Sequence, residues 1–356
     1  MIRSIHMNET KITPREKAIL QIIINSGEIS QKKLREKLLP EYTISKATLI
    51  RDLNALQEKN IVKVKGEGPA TRYLIKKDQH NLPLINLEEY FSQEPDERNV
   101  KYKEYNPNLL QKSQILTKED LEIFEKGKEA FIKNTKSRNE ASLKRETERF
   151  VIELSWKSSQ IEGNTYTLLD TENLLKNNIP AEGHTEEEKI MILNHKKTLE
   201  YILQNKKDFK KLNLRNIHQI HELITQDLNI PKDLRKHQVG ITGTPYMPLK
   251  NPYKIEDAMK FLEKRISEIN NIPEAAFLAL LFISYIQPFT DGNKRTARLA
   301  SNALLLANDY YPLSYRSVDE KYYKKALIIF YEQQIYYYFR KIFVDQYKFA
   351  VENYFL

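Results

Sequence analysis

The 356-residue sequence contains no cysteine, which excludes disulfides and thiolate metal sites from the outset. No apolar run approaches the ~18 residues a membrane span requires, and the start, residues 1–11, lacks the apolar core of a signal peptide. There is no internal repeat. Histidine is sparse too: the seven are scattered without zinc-type spacing, and His218 and His221, three apart on an expected helix, lack a nearby third ligand. Core or hydrogen-bonding roles suit them better than metal. The absences leave a cytoplasmic protein with no membrane partner as the expectation, long enough for two domains and a sizeable core.

What is present is unevenly distributed. The net charge is +9, and residues 1–78 alone hold 16 Lys and Arg against 9 Asp and Glu, so about a fifth of the chain carries most of the excess. That asymmetry points to a polyanion partner for the N-terminal part.

There the pattern is helical from Thr13. Thr13-Pro14-Arg15-Glu16 supplies a cap, a first-turn proline and a Glu at the third helical position, and Ala18, Ile19, Ile22 and Ile23 follow on one face. Gly27 ends this helix. A second follows Ser30 and stops near Pro40; a third opens at Ser45, with Leu49, Leu53 and Leu56 as its buried stripe and Lys46, Thr48, Arg51 and Asn54 turned outward. Two alternating strands, 61–65 and 71–76, then flank Gly66-Glu67-Gly68-Pro69. Three helices and such a hairpin make a winged helix-turn-helix, and residues 44–61 resemble the recognition helix of bacterial winged-helix regulators. The resemblance implies DNA contacts from Lys46, Thr48 and Arg51, with Lys65 and Arg72 against the phosphate backbone. A basic module that binds a protein partner or dimerises is the other reading.

Residues 77–115 lose periodicity and mix charge with Pro83, Pro95 and Pro107, which places a boundary there. From Thr117 onward the sequence is overwhelmingly helical. Tyr336-Tyr337-Tyr338 suits packing or an oligomer face better than base stacking, so a homodimer stays open. One stretch breaks the helical run: Val239-Gly240-Ile241-Thr242-Gly243-Thr244-Pro245-Tyr246 alternates and ends in turn residues, suggesting a small hairpin.

The densest chemistry lies in Gln287-Pro288-Phe289-Thr290-Asp291-Gly292-Asn293-Lys294-Arg295-Thr296-Ala297-Arg298. It offers an apolar anchor, a carboxylate able to hold Mg²⁺ (Asp291) and a Gly-Asn turn that can bring backbone N–H groups to an anion. A helix then carries Arg295 and Arg298 one turn apart. The run resembles the signature of the Fic (Fido) family, His-x-Phe-x-Asp/Glu-Gly-Asn-Gly/Lys-Arg-x-x-Arg, at every defining position except the first, where Gln287 replaces His. In the family that His is the general base for AMP transfer from ATP to a target hydroxyl. An amide has no titratable group near neutral pH, so the resemblance implies an ATP cradle with its proton acceptor missing.

Upstream, Ser158-Ser159-Gln160-Ile161-Glu162-Gly163-Asn164 matches the family's inhibitory pattern, Ser/Thr-x-x-x-Glu-Gly/Asn. By that resemblance Ser158, Glu162 and Gly163 belong to an inhibitory helix and Glu162 reaches Arg298, whose fork suits a carboxylate or a γ-phosphate but not both at once. The 239–246 stretch resembles the family's flap, which holds an extended segment of a target protein by Val239, Gly240, Ile241, Thr242 and Gly243. Tyr323 falls where a Tyr often lines the nucleotide pocket, whereas Tyr331 stands where an Asn is expected. Asn194-His195 resembles a structural helix feature without chemistry.

The likeness covers roughly residues 106–343. It implies a mainly α protein: a winged helix (1–78), a linker (79–115) and an all-helical Fic/Fido domain with a small β-hairpin flap (116–356). The implied site uses Gln287 and Asp291 as catalytic positions, Asp291 for Mg²⁺, and Gly292, Asn293, Lys294, Arg295, Arg298 and Tyr323 for ATP. Two functions follow: a protein adenylyltransferase held back by Glu162 and impaired at Gln287, with AMP removal as a variant, or an inactive nucleotide-binding regulator of DNA.

Overall fold

Thr13 fixes the first helix. Its hydroxyl accepts the Glu16 N–H at 3.2 Å while its own N–H donates to the Glu16 carboxylate at 2.7 Å, closing a capping box on the first turn. In the computed structural model, which describes residues 12–76, 82, 84–111 and 114–356, this helix is α1 (Pro14–Ser26). Residues 1–11 and Pro83, used in the sequence reading, lie outside the described residues. A short strand β1 (Glu28–Ile29) leads into α2 (Gln31–Leu38), capped by Ser30, and α3 (Lys46–Glu58), capped by Ser45. Strands β2 (Val62–Lys65) and β3 (Arg72–Ile75) pair antiparallel with Val62 opposite Ile75 and Lys65 opposite Arg72. β1 adds to the far edge of β3, a third strand that the alternation of two residues is too short to announce. Gly66 makes the wing turn at φ +79°, where a Cβ would stand 2.8 Å from the Ala70 carbonyl oxygen.

The core of this unit is the stripe the sequence offers. Leu49, Leu53 and Leu56 are fully buried with Ile19, Leu20, Ile23, Leu34 and Leu38, each burial favouring the fold by about 1.5–3 kcal/mol before chain entropy is set against it. α4 (Leu87–Tyr90) follows, and Arg98 lies over the rings of Tyr90 and Phe91. The chain divides after Arg98, with residues 334–338 grouped in the first unit. Tyr336, Tyr337 and Tyr338 are all buried within this chain, which favours the packing role over an exposed face.

In the second unit, residues 99–111 are docked rather than loose. Lys101 and Tyr102 donate backbone N–H groups to Glu332 O, and Asn106 N–H donates to the Tyr285 hydroxyl. The helices follow as α5 (Lys118–Ser137), α6 (Glu140–Ile161), α7 (Leu168–Asn177), α8 (Glu186–Gln204), α9 (Leu214–Ile224), α10 (Pro252–Glu268), α11 (Ile272–Ile286), α12 (Asn293–Ala307), α13 (Glu320–Gln333) and α14 (Tyr337–Asn353). Among the described residues the protein is thus mainly α, with a single three-stranded sheet.

α11 is apolar on every side, and all residues from Pro273 to Ile286 are buried, which makes it the central helix. No helix among the described residues is long and apolar enough to cross a membrane. α12 packs along α11 and is backed by α9, α8 and α6. Between these two buried helices the chain has only residues 287–292 to turn. Gln287 ends α11 in the left-handed region (φ 51°), Pro288 prevents continuation, and Gly292 (φ 77°) opens α12. The sequence motif is this turn.

The expected hairpin at 239–246 is not formed. A reversal exists, with Thr244 N–H reaching Ile241 O at 3.4 Å, but no strand ladder flanks it. Pro245 has no N–H to offer a ladder, and the two glycines in the stretch disfavour strand. Met247 instead makes an isolated bridge to Glu104.

Candidate nucleotide site at the start of helix α12

Gly292 sits tightly against α9: a Cβ there would come 2.9 Å from Thr225 Cγ2, in a backbone conformation that already favours glycine. From α9, His221 stacks on Phe289 at 3.6 Å between ring centres and donates Nε2–H to Asp291 O at 3.0 Å. Burial drives the His221 pKa down to about 4, so it is neutral and the donor assignment is consistent. Asn293 braces the turn from within, its amide oxygen accepting from Phe289 N–H and its amide nitrogen donating to Phe289 O, both at 2.8 Å. The Asn293 side chain is therefore spent on the loop, leaving its backbone N–H for an anion. The first N–H groups of α12, without intrahelical partners, point out of the turn with the positive end of the helix dipole.

A cavity of about 490 Å³ opens over this N-terminus. Gln287, Asp291, Gly292, Asn293, Lys294 and Arg295 form one side, Glu162 and Tyr323 another, and Val239, Gly240, Ile241 and Thr242 the rim. Arg295 is 3 % exposed; its Nη2 stands 3.4 Å from Asp291, and among the described residues its Nη1 has no hydrogen-bond partner. A buried guanidinium nitrogen without an acceptor is costly unless an anion completes it. Asp291, by contrast, is 70 % exposed, and no cluster of three metal-ligating side chains exists among the described residues.

Glu162, on the residue that ends α6, already puts an anion here. One carboxylate oxygen is 2.8 Å from Lys294 Nζ and the other 2.9 Å from Arg298 Nη1; the second approach is an ion pair without hydrogen-bond alignment. Burial by itself would raise the Glu162 pKa, but Lys294 and Arg298 outweigh it and hold the group at about 2. Arg298 is fully buried, donates Nε–H and Nη2–H to the Ser158 hydroxyl and carbonyl at 2.8 Å each, and lies 5.6 Å from the Tyr323 ring. Gly163 follows at φ +104° as the chain leaves α6.

Gln287 is 7 % exposed, and its Nε2 donates to Ser284 O at 2.7 Å, the same carbonyl that the Tyr331 hydroxyl reaches at 2.9 Å. Arg235 grips this corner. It donates to the carbonyls of Gln287, His237 and Leu249 at 2.6–2.8 Å, tying both stems of the 239–246 loop to the end of α11. Gly243 lies in the turn and does not line the cavity.

Sequence reasoning missed Ile161, Met191, Thr290, Lys324, Leu327 and Ile328, which also line the cavity. Those on α13 had a signal, since Tyr323, Leu327 and Tyr331 repeat every four residues on one helical face. Elsewhere, of the five residues expected at DNA, Lys46 and Arg51 are exposed, whereas Thr48 is half-buried beside the Ser45 cap. Lys65 pairs with Glu28 at 3.2 Å, and Arg72 folds onto the Thr71 carbonyl at 3.0 Å.

Two parts of the chain resemble known families. Residues 211–305 match the Fic/DOC family and residues 12–126 match the penicillinase repressor family. The protein adenylyltransferase Fic of Aedes aegypti is 29 % identical over 178 residues, covering 48 % of this chain and 35 % of the relative. The chain thus spans about a third of that protein. A Fic domain containing signaling protein from Bacteroides thetaiotaomicron superposes with a TM-score of 0.53 at 21 % identity, covering 65 % of this chain and 96 % of the other. A Fic family protein from Desulfovibrio desulfuricans gives 0.54 at 20 %, covering 70 % and 76 %.

Proposed function

We infer, from the premise that this chain is a Fic protein carrying an N-terminal winged helix-turn-helix, that the cavity over α12 binds ATP and that Glu162 holds it in an unreactive pose. The carrying observation is the Glu162 carboxylate paired with Lys294 and Arg298 in the cavity, an anion standing where a terminal phosphate would be clamped. Arg295, buried with an unpaired Nη1, and the N–H groups after Gly292 supply further phosphate partners. Asp291 fits a Mg²⁺ that arrives with the triphosphate, since one exposed carboxylate needs phosphate oxygens and water to complete six ligands. Such an ion would neutralise phosphate charge and orient the leaving group.

The relatives' name, protein adenylyltransferase, supports transfer of an adenylyl group to a protein, and the resemblance of the 287–298 run to the Fic signature implies ATP as the donor and a hydroxyl side chain as the acceptor. Target backbone would lie along Val239 to Thr242, which line the cavity and belong to no strand ladder of their own. Gln287 occupies the position from which a base would take the hydroxyl proton, and its amide cannot do so; losing a general base costs about 10²- to 10⁴-fold. Calorimetry with ATP-Mg²⁺ on the chain and on Glu162→Gly tests the clamp, and tighter binding by the variant is expected. Gln287→His should raise incorporation of labelled AMP by about 10²-fold or more; no gain in the Gln287→His, Glu162→Gly double variant would refute the transferase reading.

The amide at 287, bound to its own helix, favours a second reading: a nucleotide-sensing regulator without turnover, whose winged helix binds DNA. The match to a repressor family supports the DNA part. Gel shifts that are identical with and without ATP would count against sensing.

A further inference from the structure

Three buried hydroxyls of these helices return to the carbonyl one turn back. Thr198 donates to Asn194 O at 2.7 Å, Thr225 to His221 O at 2.6 Å and Ser284 to Leu280 O at 2.8 Å. Ser158 does otherwise. Its oxygen lies 2.8 Å from Arg298 Nε and 2.8 Å from His195 Nε2, with no bond to Leu154 O. The protons admit one arrangement. Arg298 can only donate, so Ser158 Oγ accepts from it; His195 Nδ1 stands 3.0 Å from Met191 O and 3.4 Å from the Ser159 hydroxyl, and because the nearer carbonyl can only accept, Nδ1 carries the proton and donates to it. Burial holds the His195 pKa down to about 3, leaving the ring neutral, so Nε2 is an acceptor and takes the Ser158 proton. His195, Ser158 and Arg298 are all fully buried, out of reach of bulk solvent.

We propose that His195 is a positioning residue for the inhibitory pair: by accepting the Ser158 hydroxyl proton it keeps that oxygen turned toward Arg298, and so keeps the guanidinium on Glu162. The proposal rests on the reading that Glu162 and a terminal phosphate compete for Arg298. The neighbouring Asn194 donates to Gln226 O at 2.6 Å, at the end of α9, whose Thr225 and His221 back the Gly292 turn. One dipeptide of α8 therefore holds the inhibitory helix on one side and the anion turn's support on the other. Without the acceptor, Ser158 has the rotamer of Thr198, Thr225 and Ser284 available, bonding Leu154 O and withdrawing from Arg298 Nε.

The test is the ratio of dissociation constants for Mg-ADP and Mg-ATP, measured by calorimetry on the full chain, because only ATP brings the phosphate that competes with Glu162. Glu162→Gly should raise the ratio. His195→Ala and His195→Asn, whose side chains cannot reach Ser158, should raise it about three- to tenfold, the worth of one buried hydrogen bond. His195→Gln, which can present an acceptor near the Nε2 position, should stay at the parent value. Ser158→Ala combined with His195→Asn should give no more than Ser158→Ala alone. A purely structural role would lower the melting temperature of all three His195 variants and leave the ratio unchanged. An unchanged ratio in folded His195→Asn, beside a raised one in Glu162→Gly, overturns the proposal; an unchanged ratio in Glu162→Gly overturns the competition beneath it.

Discussion

Two basic regions of this chain begin alike, each with a cap and a helix that carries cations near its start, and end as opposites. On α3, Lys46 and Arg51 stand in water after the Ser45 cap. On α12, Arg295 and Arg298 are 3 % and 0 % exposed after the Gly292 turn, one with an unpaired nitrogen and the other fully engaged by Ser158 and Glu162. Charges in solvent are cheap to place and are screened by salt. Charges in the core must be held by specific acceptors, which makes the site that holds them rigid and selective. The first arrangement suits a long polyanion met by many weak contacts; the second suits one compact anion.

Salt is the strongest way to separate them. If Lys46, Arg51, Lys65 and Arg72 each neutralise a phosphate, log affinity for duplex DNA should fall with log salt at a slope near −3.6, a loss of roughly 10²-fold between 50 and 200 mM. Over that range ATP-Mg²⁺ should weaken by only about a few-fold, because the buried guanidinium groups are little screened. Fluorescence anisotropy and calorimetry on the same preparation would measure both. Equal slopes would break the comparison.

Acid tests the buried side next. The folded-state pKa of Glu162, about 2, lies below its ordinary value of 4.5. The stability this provides is therefore fully present above pH ~4.5 and lost as pH falls through 2, amounting to about 3 kcal/mol over the window. Glu162→Gln has no such titration. Urea unfolding of both proteins at several pH values between 5 and 2 should show their difference shrink as pH falls, and a constant difference would mean that Glu162 is not held by Lys294 and Arg298 in solution.

These contrasts also explain what could be read from the chain. Helix starts were legible because caps act within four residues: Thr13 with Glu16, Ser30 and Ser45 all sit where their side chains meet the first turn. The turn at 287–292 was legible because Pro288, Gly292 and Asn293 each have one local use there. What is built from distant residues was not. Nothing near Asn194-His195 in sequence announces that Ser158 and Gln226 will face it, and nothing near Arg235 announces the carbonyls of Gln287 and Leu249. The flap misled for the converse reason: alternation at 239–246 is a local signal, and a ladder needs a partner strand that the fold does not bring.

The smallest expected effect sharpens the comparison furthest. Lys65 faces Arg72 directly across the wing and is offset by Glu28, with side chains 70 % and 50 % exposed in that pair. Like charges opposite one another are unfavourable and an exposed pair is worth little, so Lys65→Ala should change folding stability by less than about 0.5 kcal/mol. If the wing meets DNA phosphate, the same substitution should nevertheless reduce the salt slope by about one. Stability and binding would then separate at a surface cation, whereas at Arg298 no substitution could touch one without the other, since that side chain is at once core and candidate ligand. An unchanged slope in Lys65→Ala would remove Lys65 from the interface and leave Lys46, Arg51 and Arg72 to carry the phosphate contacts.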